Sequence, residues 1–384
     1  MLYRPFSDSR LSLSNLGFGC MRFPCLDKDP ARIDVGKAHE MLEYAFAQGV
    51  TLFDTAYPYH RGKSEEVLGA FLDKERREQV LVQDKLPIWM VKKPADFDRL
   101  LDEQLARLHT NYIDVYLVHA LNQRFWTIAQ KHDVFRFLER AKQDGRIRYA
   151  GFSFHDAYPL FAEIVDAFAW DSCLIHLNYM DQDYQAGTKG LYYAAQKGLS
   201  VMIMEPLRGG RLAQHIPADV SQVWHNAQRP WSPAEYALRW LWNFPEVTCV
   251  LSGMSTLDQV KENIKIASNV EADGLTSEDL AVLDHARTVY KQHIKVGCTQ
   301  CGYCDDCPQH VAIKDIFELY NDVFMYDSLA NSRNGYRFLC KQKRDASLCV
   351  SCGECEDKCP QHISIIKWLQ EAHRLLAPDT QGDR

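Results

Sequence analysis

Thr51-Leu-Phe-Asp-Thr-Ala56, Val80-Leu-Val-Gln-Asp-Lys-Leu86 and Tyr112-Ile-Asp-Val-Tyr-Leu-Val-His119 are short apolar runs, each with an ionisable side chain at or near its carboxyl end. Five further runs of this kind read as strands: Leu16–Cys20, Tyr149–Ser153, Ser172–Asn178, Leu199–Glu205 and Thr248–Gly253. Between them, Ala38–Gln48, Ala95–Leu108, Val134–Asp144 and Pro233–Trp242 carry apolar residues at helical spacing, and Leu257, Val260 and Ile264 continue the pattern after Thr256. Eight strands, each followed by a helix, predict a (β/α)₈ TIM barrel over residues 16 to 268. A doubly wound sheet has fewer strands and opens with a glycine-rich phosphate loop, of which Gly17-Phe-Gly19 is only a fragment.

The chain has 384 residues, enough for one large domain and a small one. A net charge of −7 argues against a surface made for phosphate backbones, so nucleic acid is not an expected partner. The start, MLYRPFSDSRLSLSNLG, lacks a basic stretch followed by an apolar one, and no run of about 18 apolar residues occurs. A cytoplasmic protein without a membrane span is the expectation. Thr276-Ser277-Glu278-Asp279 opens a helix to about Gln292, expected to pack on the barrel and lead the chain out of it. The predicted division is 1–292 for the barrel and 293–384 for a second domain ending in the polar tail Ala377-Pro-Asp-Thr-Gln-Gly-Asp-Arg384.

Nine of the 13 cysteines lie in that second domain. In a long chain without an export signal, dense thiols point to metal, not to a disulfide scaffold. The runs are Cys298-Thr-Gln-Cys301-Gly-Tyr-Cys304-Asp-Asp-Cys307-Pro308 and Cys349-Val-Ser-Cys352-Gly-Glu-Cys355-Glu-Asp-Lys-Cys359-Pro360. Three thiolates at intervals of three wrap one face of a cubane, and in two-cluster ferredoxins the cysteine before proline serves the other cluster. Two [4Fe–4S] clusters follow, one on Cys298, Cys301, Cys304 and Cys359 and one on Cys349, Cys352, Cys355 and Cys307. The first run has two residues before its last cysteine where the second has three, which leaves the reach of Cys307 to be shown. Zinc is the competing reading, but structural zinc sites pair two Cys-x-x-Cys knuckles. About 41 residues separate the runs, and Val311–Val323 reads helical, so a small, mainly α-helical ferredoxin-like domain is expected. Cys20, Cys25, Cys173, Cys249 and Cys340 read as small core residues.

At the strand ends stand Asp54, Lys85 and His119, with Tyr59 in the loop after Asp54. Singly, each has a bland explanation as a loop, surface or core residue; together, on three consecutive strands at the rim where barrels place their chemistry, they form a constellation. A carbonyl oxygen gains negative charge as hydride arrives and needs a proton donor. A phenol can supply it, and an adjacent ammonium is expected to draw its pKa down toward neutrality. Lys85 would do so, Asp54 would keep Lys85 charged, and His119 would polarise the oxygen.

Asp54-Thr-Ala-Tyr-Pro-Tyr59 with Lys63-Ser-Glu-Glu-Val-Leu-Gly69 resembles the aldo-keto reductases, as do Asp114–His119, Gly151-Phe-Ser153, Glu205-Pro-Leu-Arg-Gly-Gly210 and Leu251-Ser-Gly-Met-Ser255. With the cysteine runs attached, the chain resembles the branch of that family carrying a C-terminal 4Fe–4S domain. The resemblance implies a catalytic tetrad of Asp54, Tyr59, Lys85 and His119. It also implies a nicotinamide dinucleotide, NADP(H) or NAD(H), contacted by Gly19, Met21, Arg22, Asp54, Ser153, Leu207, Arg208, Gly209, Ser255, Gln259 and Asn263. Several family positions differ: Phe154 stands for an asparagine, Leu174 for a glutamine, Met204 for a stacking aromatic and Gln259 for a phosphate-binding arginine. The implied activity is reduction of an aldehyde or ketone, or the reverse, on a small molecule bound near Tyr57, Trp89, Met90 and Phe125. The clusters would serve structure or electron exchange with an external one-electron partner. The alternative is a nicotinamide-binding redox sensor or docking protein with little turnover.

Overall fold

The computed structural model describes residues 1–6, 11–214 and 216–378; residues 379–384 of the predicted tail lie outside them. By compactness the chain divides into one unit of residues 1–209 with 234–276 and a second of 210–233 with 277–384.

The first unit opens with an antiparallel hairpin, β1 (Tyr3–Phe6) and β2 (Leu11–Ser14). Eight strands follow: β3 (Leu16–Gly19), β4 (Leu52–Asp54), β5 (Leu81–Leu86), β6 (Ile113–Leu121), β7 (Ile147–Phe154), β8 (Ser172–His176), β9 (Ser200–Met204) and β10 (Val247–Ser252). They pair in parallel and in chain order, and β10 closes on β3. The expected (β/α)₈ barrel is what the chain forms. Every residue of β5, β8 and β10 is buried. A barrel strand has side chains on one face and helices on the other, so it reads as a continuous apolar run. The helices of this unit are α1 (Val35–Ala47), α2 (Ser64–Phe71), α3 (Lys74–Gln79), α4 (Ala95–Arg107), α5 (Gln123–Lys131), α6 (Val134–Gln143), α7 (Tyr158–Ala167) and α8 (Gly187–Gln196). After α9 (Ala218–His225), which belongs to the second unit, come α10 (Pro233–Trp242) and α11 (Leu257–Ala267). Asp34, Asn122 and Thr256 cap α1, α5 and α11 through their side-chain oxygens, each cap contributing about 1 kcal/mol.

The hairpin was not evident from the strand pattern. Its Phe6 and Leu13 are fully buried and join Leu52, Leu81, Val115, Leu174, Met202 and Cys249 in one apolar cluster. The Ser14 N–H donates to Thr51, just before β4, and Arg4 donates to the Phe244 carbonyl, just before β10, so the hairpin covers the amino-terminal end of the barrel. The ionisable residues occupy the other end.

The second unit is helical: α9, α12 (Ser277–Gln292), α13 (Ile313–Met325), α14 (Leu329–Lys341), α15 (Glu354–Asp357) and α16 (Ile365–Leu376). The helix expected to lead out of the barrel, α12, packs here against α9 and α13. Buried Ile316, Phe317, Tyr336, Leu339 and Leu369 form the core, and the cysteine loops pack on it. The Asn321 side chain accepts from the N–H groups of Lys295 and Val296 and donates to the Val296 carbonyl, which fixes the approach to Cys298. Among the described residues, no helix is long and apolar enough to cross a membrane.

Candidate active site and cysteine centre

β4 ends at Asp54, whose Cα partner on β5 is Gln83; Lys85 lies two residues further toward the rim, on the same face. Its ammonium meets Asp54 Oδ1 at 2.5 Å, the Thr55 carbonyl at 2.8 Å and the Tyr59 hydroxyl at 3.3 Å. Gln83 donates to Asp54 Oδ1 at 2.7 Å. The Tyr59 ring meets His119 edge-on, with centroids 6.3 Å apart. The structure therefore brings together all four predicted tetrad residues.

Tyr59 is placed by a turn the sequence reading passed over. The turn Tyr59–Gly62 takes His60 and Arg61 through positive φ, 52° and 53°. His60 Nε2 accepts the Phe23 N–H at 3.1 Å, so its other nitrogen, Nδ1, carries the proton and donates to the Pro30 carbonyl at 3.0 Å. Its position directly after the tyrosine was the available signal.

Burial works against the Lys85 ammonium, but Asp54 and then Tyr59 outweigh it, so the lysine is held above its ordinary value. For Tyr59 the sequence expectation is corrected. Burial raises the phenol above its ordinary value, and the pull of Lys85 toward ionisation does not overcome it. The group is a neutral phenol beside a fixed ammonium. Burial first, then Lys85, holds His119 well below the ordinary imidazole value, so its ring is neutral. His119 Nδ1 is buried and makes no hydrogen bond. Trp89 lies 5.1 Å from the His119 ring and 5.9 Å from Phe125, forming an aromatic wall beside it. Tyr57 instead faces α4, under Arg107 and bonded to Glu103.

The residues implied for the dinucleotide divide into two groups. Arg22 runs its stem along Gly253, where a Cβ would meet it at 3.1 Å, and sets its head against Gly209 and 3.6 Å from Glu205. Gly209 has φ +67°, a conformation that favours glycine. This glycine-lined cradle fits a phosphate-bearing group that needs close backbone approach. At Gly19, too, a Cβ would come within 3.3–3.4 Å of the backbone of Ser252 and Gly253. Ser153 is buried and its oxygen accepts the Ala120 N–H at 2.7 Å. Met21 is exposed and Leu207 is half-buried. In the other group, Gln259 folds back to accept the Ser255 N–H at 2.8 Å, and Asn263 is buried and donates to Ser252 at 3.0 Å. Leu174 belongs to the apolar barrel core. The polar residues beyond it are engaged with one another: His176 and Asn178 both reach Asp181, and Arg208 meets Asp181 at 2.7 Å. Burial would raise Asp181, but Arg208 and then His176 hold it below the ordinary carboxylate range.

In the second unit, two cavities are lined with sulfur. One takes in Cys298, Cys301, Cys304 and Cys359 among Ile313, Phe317, Ile363 and Ile365. The other takes in Cys304, Cys307, Cys349, Cys352 and Cys355 among Val311, Ile366 and Leu369. Cys359 thus joins three cysteines of the first run, and Cys307 joins three of the second, so the shorter spacing does bring Cys307 across; Cys304 lines both cavities. None of the 13 cysteines is in a disulfide. The runs are also duplicates of each other beyond their cysteines. Gln300 and Gly302 match Ser351 and Gly353 in positive φ. Cys-Pro-Gln-His occurs at 307–310 and again at 359–362, with His310 and His362 both at positive φ. Each copy then enters a helix, α13 at Ile313 or α16 at Ile365. The Cys-Pro that closes both runs is plain in the sequence, and the repeat extends beyond it through Gln and His.

Comparison with known proteins bears on both units. The family model for aldo/keto reductases matches residues 15–288. The chain belongs to the aldo/keto reductase family. A 4Fe–4S dicluster domain model matches residues 297–364. The oxidoreductase YqkF of Bacillus subtilis is 26% identical over 325 residues, covering 76% of this chain and 99% of its own. The NADH-specific methylglyoxal reductase of Escherichia coli is 27% identical, covering 72% and 97%. Among solved structures, the holo form of an aldo-keto reductase from Bacillus halodurans superposes with a TM-score of 0.62 at 24% identity, covering 74% of this chain and 96% of that one. One from Klebsiella pneumoniae in complex with NADPH gives 0.60 at 23%, covering 74% and 95%. These neighbours share the barrel fold.

Proposed function

We propose that this aldo/keto reductase reduces an aldehyde or ketone, or runs the reverse, with NAD(P)H, and that Tyr59 is its proton donor. The contact chain Asp54–Lys85–Tyr59 at the carboxyl rim of the barrel carries this reading. Gly19, Arg22, Ser153, Arg208 and Gly209 would hold the dinucleotide, which supplies hydride when bound. Tyr59 gives its proton to the oxygen as negative charge develops there. Lys85 then faces a phenolate and stabilises it. Asp54 keeps Lys85 charged throughout, and neutral His119 offers a ring N–H to the same oxygen. Gln259, where the family carries a phosphate-binding arginine, is committed to Ser255, so this position does not select NADPH over NADH. The test is cofactor consumption across a panel of aldehydes and ketones. Tyr59→Phe should lower kcat by about 10² to 10⁴ and leave dinucleotide affinity unchanged; full activity in that variant would sink the assignment.

The two sulfur-lined cavities support two [4Fe–4S] clusters with crossed ligation, on the cysteine sets given above. Cys301 and Cys352 occupy the same place in the two copies and both are exposed. Each centre would therefore have an edge at solvent, suited to exchange with an external one-electron partner. Protein purified without oxygen should be brown and hold about eight irons per chain; a colourless, zinc-loaded sample would reject the clusters. A nicotinamide-binding sensor with little turnover is favoured by one observation. Leu174 lies in the apolar core, and the polar residues next to it are committed to Asp181. Tight dinucleotide binding without turnover on any of a wide panel would select that reading.

A further inference from the structure

The carbonyl of Gln83 accepts the N–H of Thr55 across the β4–β5 edge at 2.9 Å. Two residues on, the N–H and carbonyl of Lys85 face that same side, but β4 has ended at Asp54. The ladder has nothing to offer this peptide, and side chains take its place. Asp84 Oδ1 accepts the Lys85 N–H at 2.7 Å, and the Gln104 amide donates to the Lys85 carbonyl at 3.1 Å. Asp84 lies on the outer face of β5, opposite Lys85.

Glu65 of α2 shares this sealed space. Asp84, Glu65, Gln104 and Tyr116 are all 0% exposed. Glu65 Oε1 accepts from Gln104 at 3.1 Å and Oε2 from Arg107 at 2.8 Å, so both its oxygens are acceptors, the pattern of an ionised carboxylate. Tyr116 donates to the Gln104 oxygen at 2.6 Å, which turns the Gln104 amide toward Glu65 and Lys85. Asp84 Oδ2, by contrast, is buried and receives no N–H or O–H donor. An ionised oxygen left so would carry the full desolvation penalty, which a proton shared with the neighbouring Glu65 carboxylate removes. Two buried carboxyls beside one partly exposed guanidinium cannot both ionise without a large penalty.

We propose that Asp84, Glu65 and Gln104 are positioning residues that grip the Lys85 peptide from behind the barrel wall, with one proton held on the Asp84–Glu65 pair. Burial, and then the charge of Glu65, push Asp84 well above the ordinary carboxyl range, in agreement with this. Lys85 and Arg107 are the cations nearby, and Cys20, Tyr59 and Tyr116 are ionisable groups that also feel the Asp84 charge. The grip is exerted on the backbone, and its effect appears at the lysine's other end, 3.3 Å from the Tyr59 oxygen. A variant that keeps the acceptor and a donor should preserve it, and one that keeps only volume should not.

The inference rests on the proposed role of Lys85, so the test includes readouts that need no turnover. Infrared difference spectra of the full chain should show a protonated-carboxyl band at neutral pH that Asp84→Asn removes. The Tyr59 titration, taken as the phenolate absorbance difference between parent and Tyr59→Phe, should be unmoved in Asp84→Asn and displaced in Asp84→Leu. If carbonyl reduction is measurable, kcat should stay within about twofold of the parent in Asp84→Asn and drop about tenfold or more in Asp84→Leu, with KM little changed. Absence of the band in the parent overturns the shared proton, and an Asp84→Leu variant with parental Tyr59 titration overturns the positioning role. If Asp84→Leu fails to fold, Gln104→Leu replaces it, with the same displacement of Tyr59 expected and an unmoved Tyr59 overturning the role. A parent with the band and the Tyr59 displacement but without turnover leaves this proposal standing and removes the catalytic one.

Discussion

Replacing Lys85 with methionine keeps the stem of the side chain and removes its charge. At the 3.3 Å between its ammonium and the Tyr59 oxygen, an ammonium and a phenolate attract by about 5 kcal/mol at the effective dielectric suited to protein sites. Each ~1.4 kcal/mol is a tenfold rate change, and water entering the vacated space recovers part of the loss, so kcat should fall about 10³-fold. The same variant strands Asp54, whose side chain is only 6% exposed, as a buried carboxylate without its cation. Breaking a buried pair from one side costs about 3–5 kcal/mol of stability. The double variant Asp54→Asn/Lys85→Met removes that stranded charge. Chemical denaturation followed by circular dichroism should therefore show a large loss in the single variant and recovery of most of it in the double, while kcat stays low in both. Stability recovered together with activity would mean that the lysine acts only as scaffold. A single variant with kcat within about tenfold of the parent would refute the electrostatic argument itself.

Cys359→Ser removes one sulfur from the cavity lined by Cys298, Cys301 and Cys304; iron should fall from about eight to about four per chain, and Cys298→Ser should give the same loss. His119 is neutral in the fold because burial and Lys85 hold it below its ordinary value. The unfolded chain then binds more protons below about pH 6.5, so stability falls as pH drops through that range; denaturation across pH should show a shallower fall in His119→Gln. Gln259→Arg should shift the KM ratio toward NADPH over NADH by about tenfold, the size of one charged hydrogen bond; an unchanged ratio would show that the 2′-phosphate lies elsewhere.

The barrel could be read because its strands are buried on both faces, so each appears as an unbroken apolar run such as Val115–Val118. The tetrad could be read because strand ends are where a charged residue breaks such a run. Context hid other features. Asp84 sits in the same run as Lys85 and looks like a solvated charge, since nothing local reveals that Glu65, 19 residues earlier, will share its space. Tyr59 was expected to ionise more easily beside Lys85; sequence gives the neighbour but not the burial, and burial prevails. The hairpin at Tyr3–Phe6 was too short to register as an element. The passage of residues 210–233 into the second unit is a long-range packing outcome with no local signature. His176 and Asn178, which could have replaced a family amide, are tied to Asp181, a partner further along the same loop.

Phe6 and Leu13 are packed into the apolar core at one end of this barrel, and the ionisable residues stand at the other. On the function proposed above, dinucleotide and carbonyl would both approach Tyr59 from that rim and leave by it. Two occupants that share one entrance form a queue. The one seated deeper arrives first and departs last, so steady-state kinetics should show ordered binding, with the second occupant unable to exchange beneath the first.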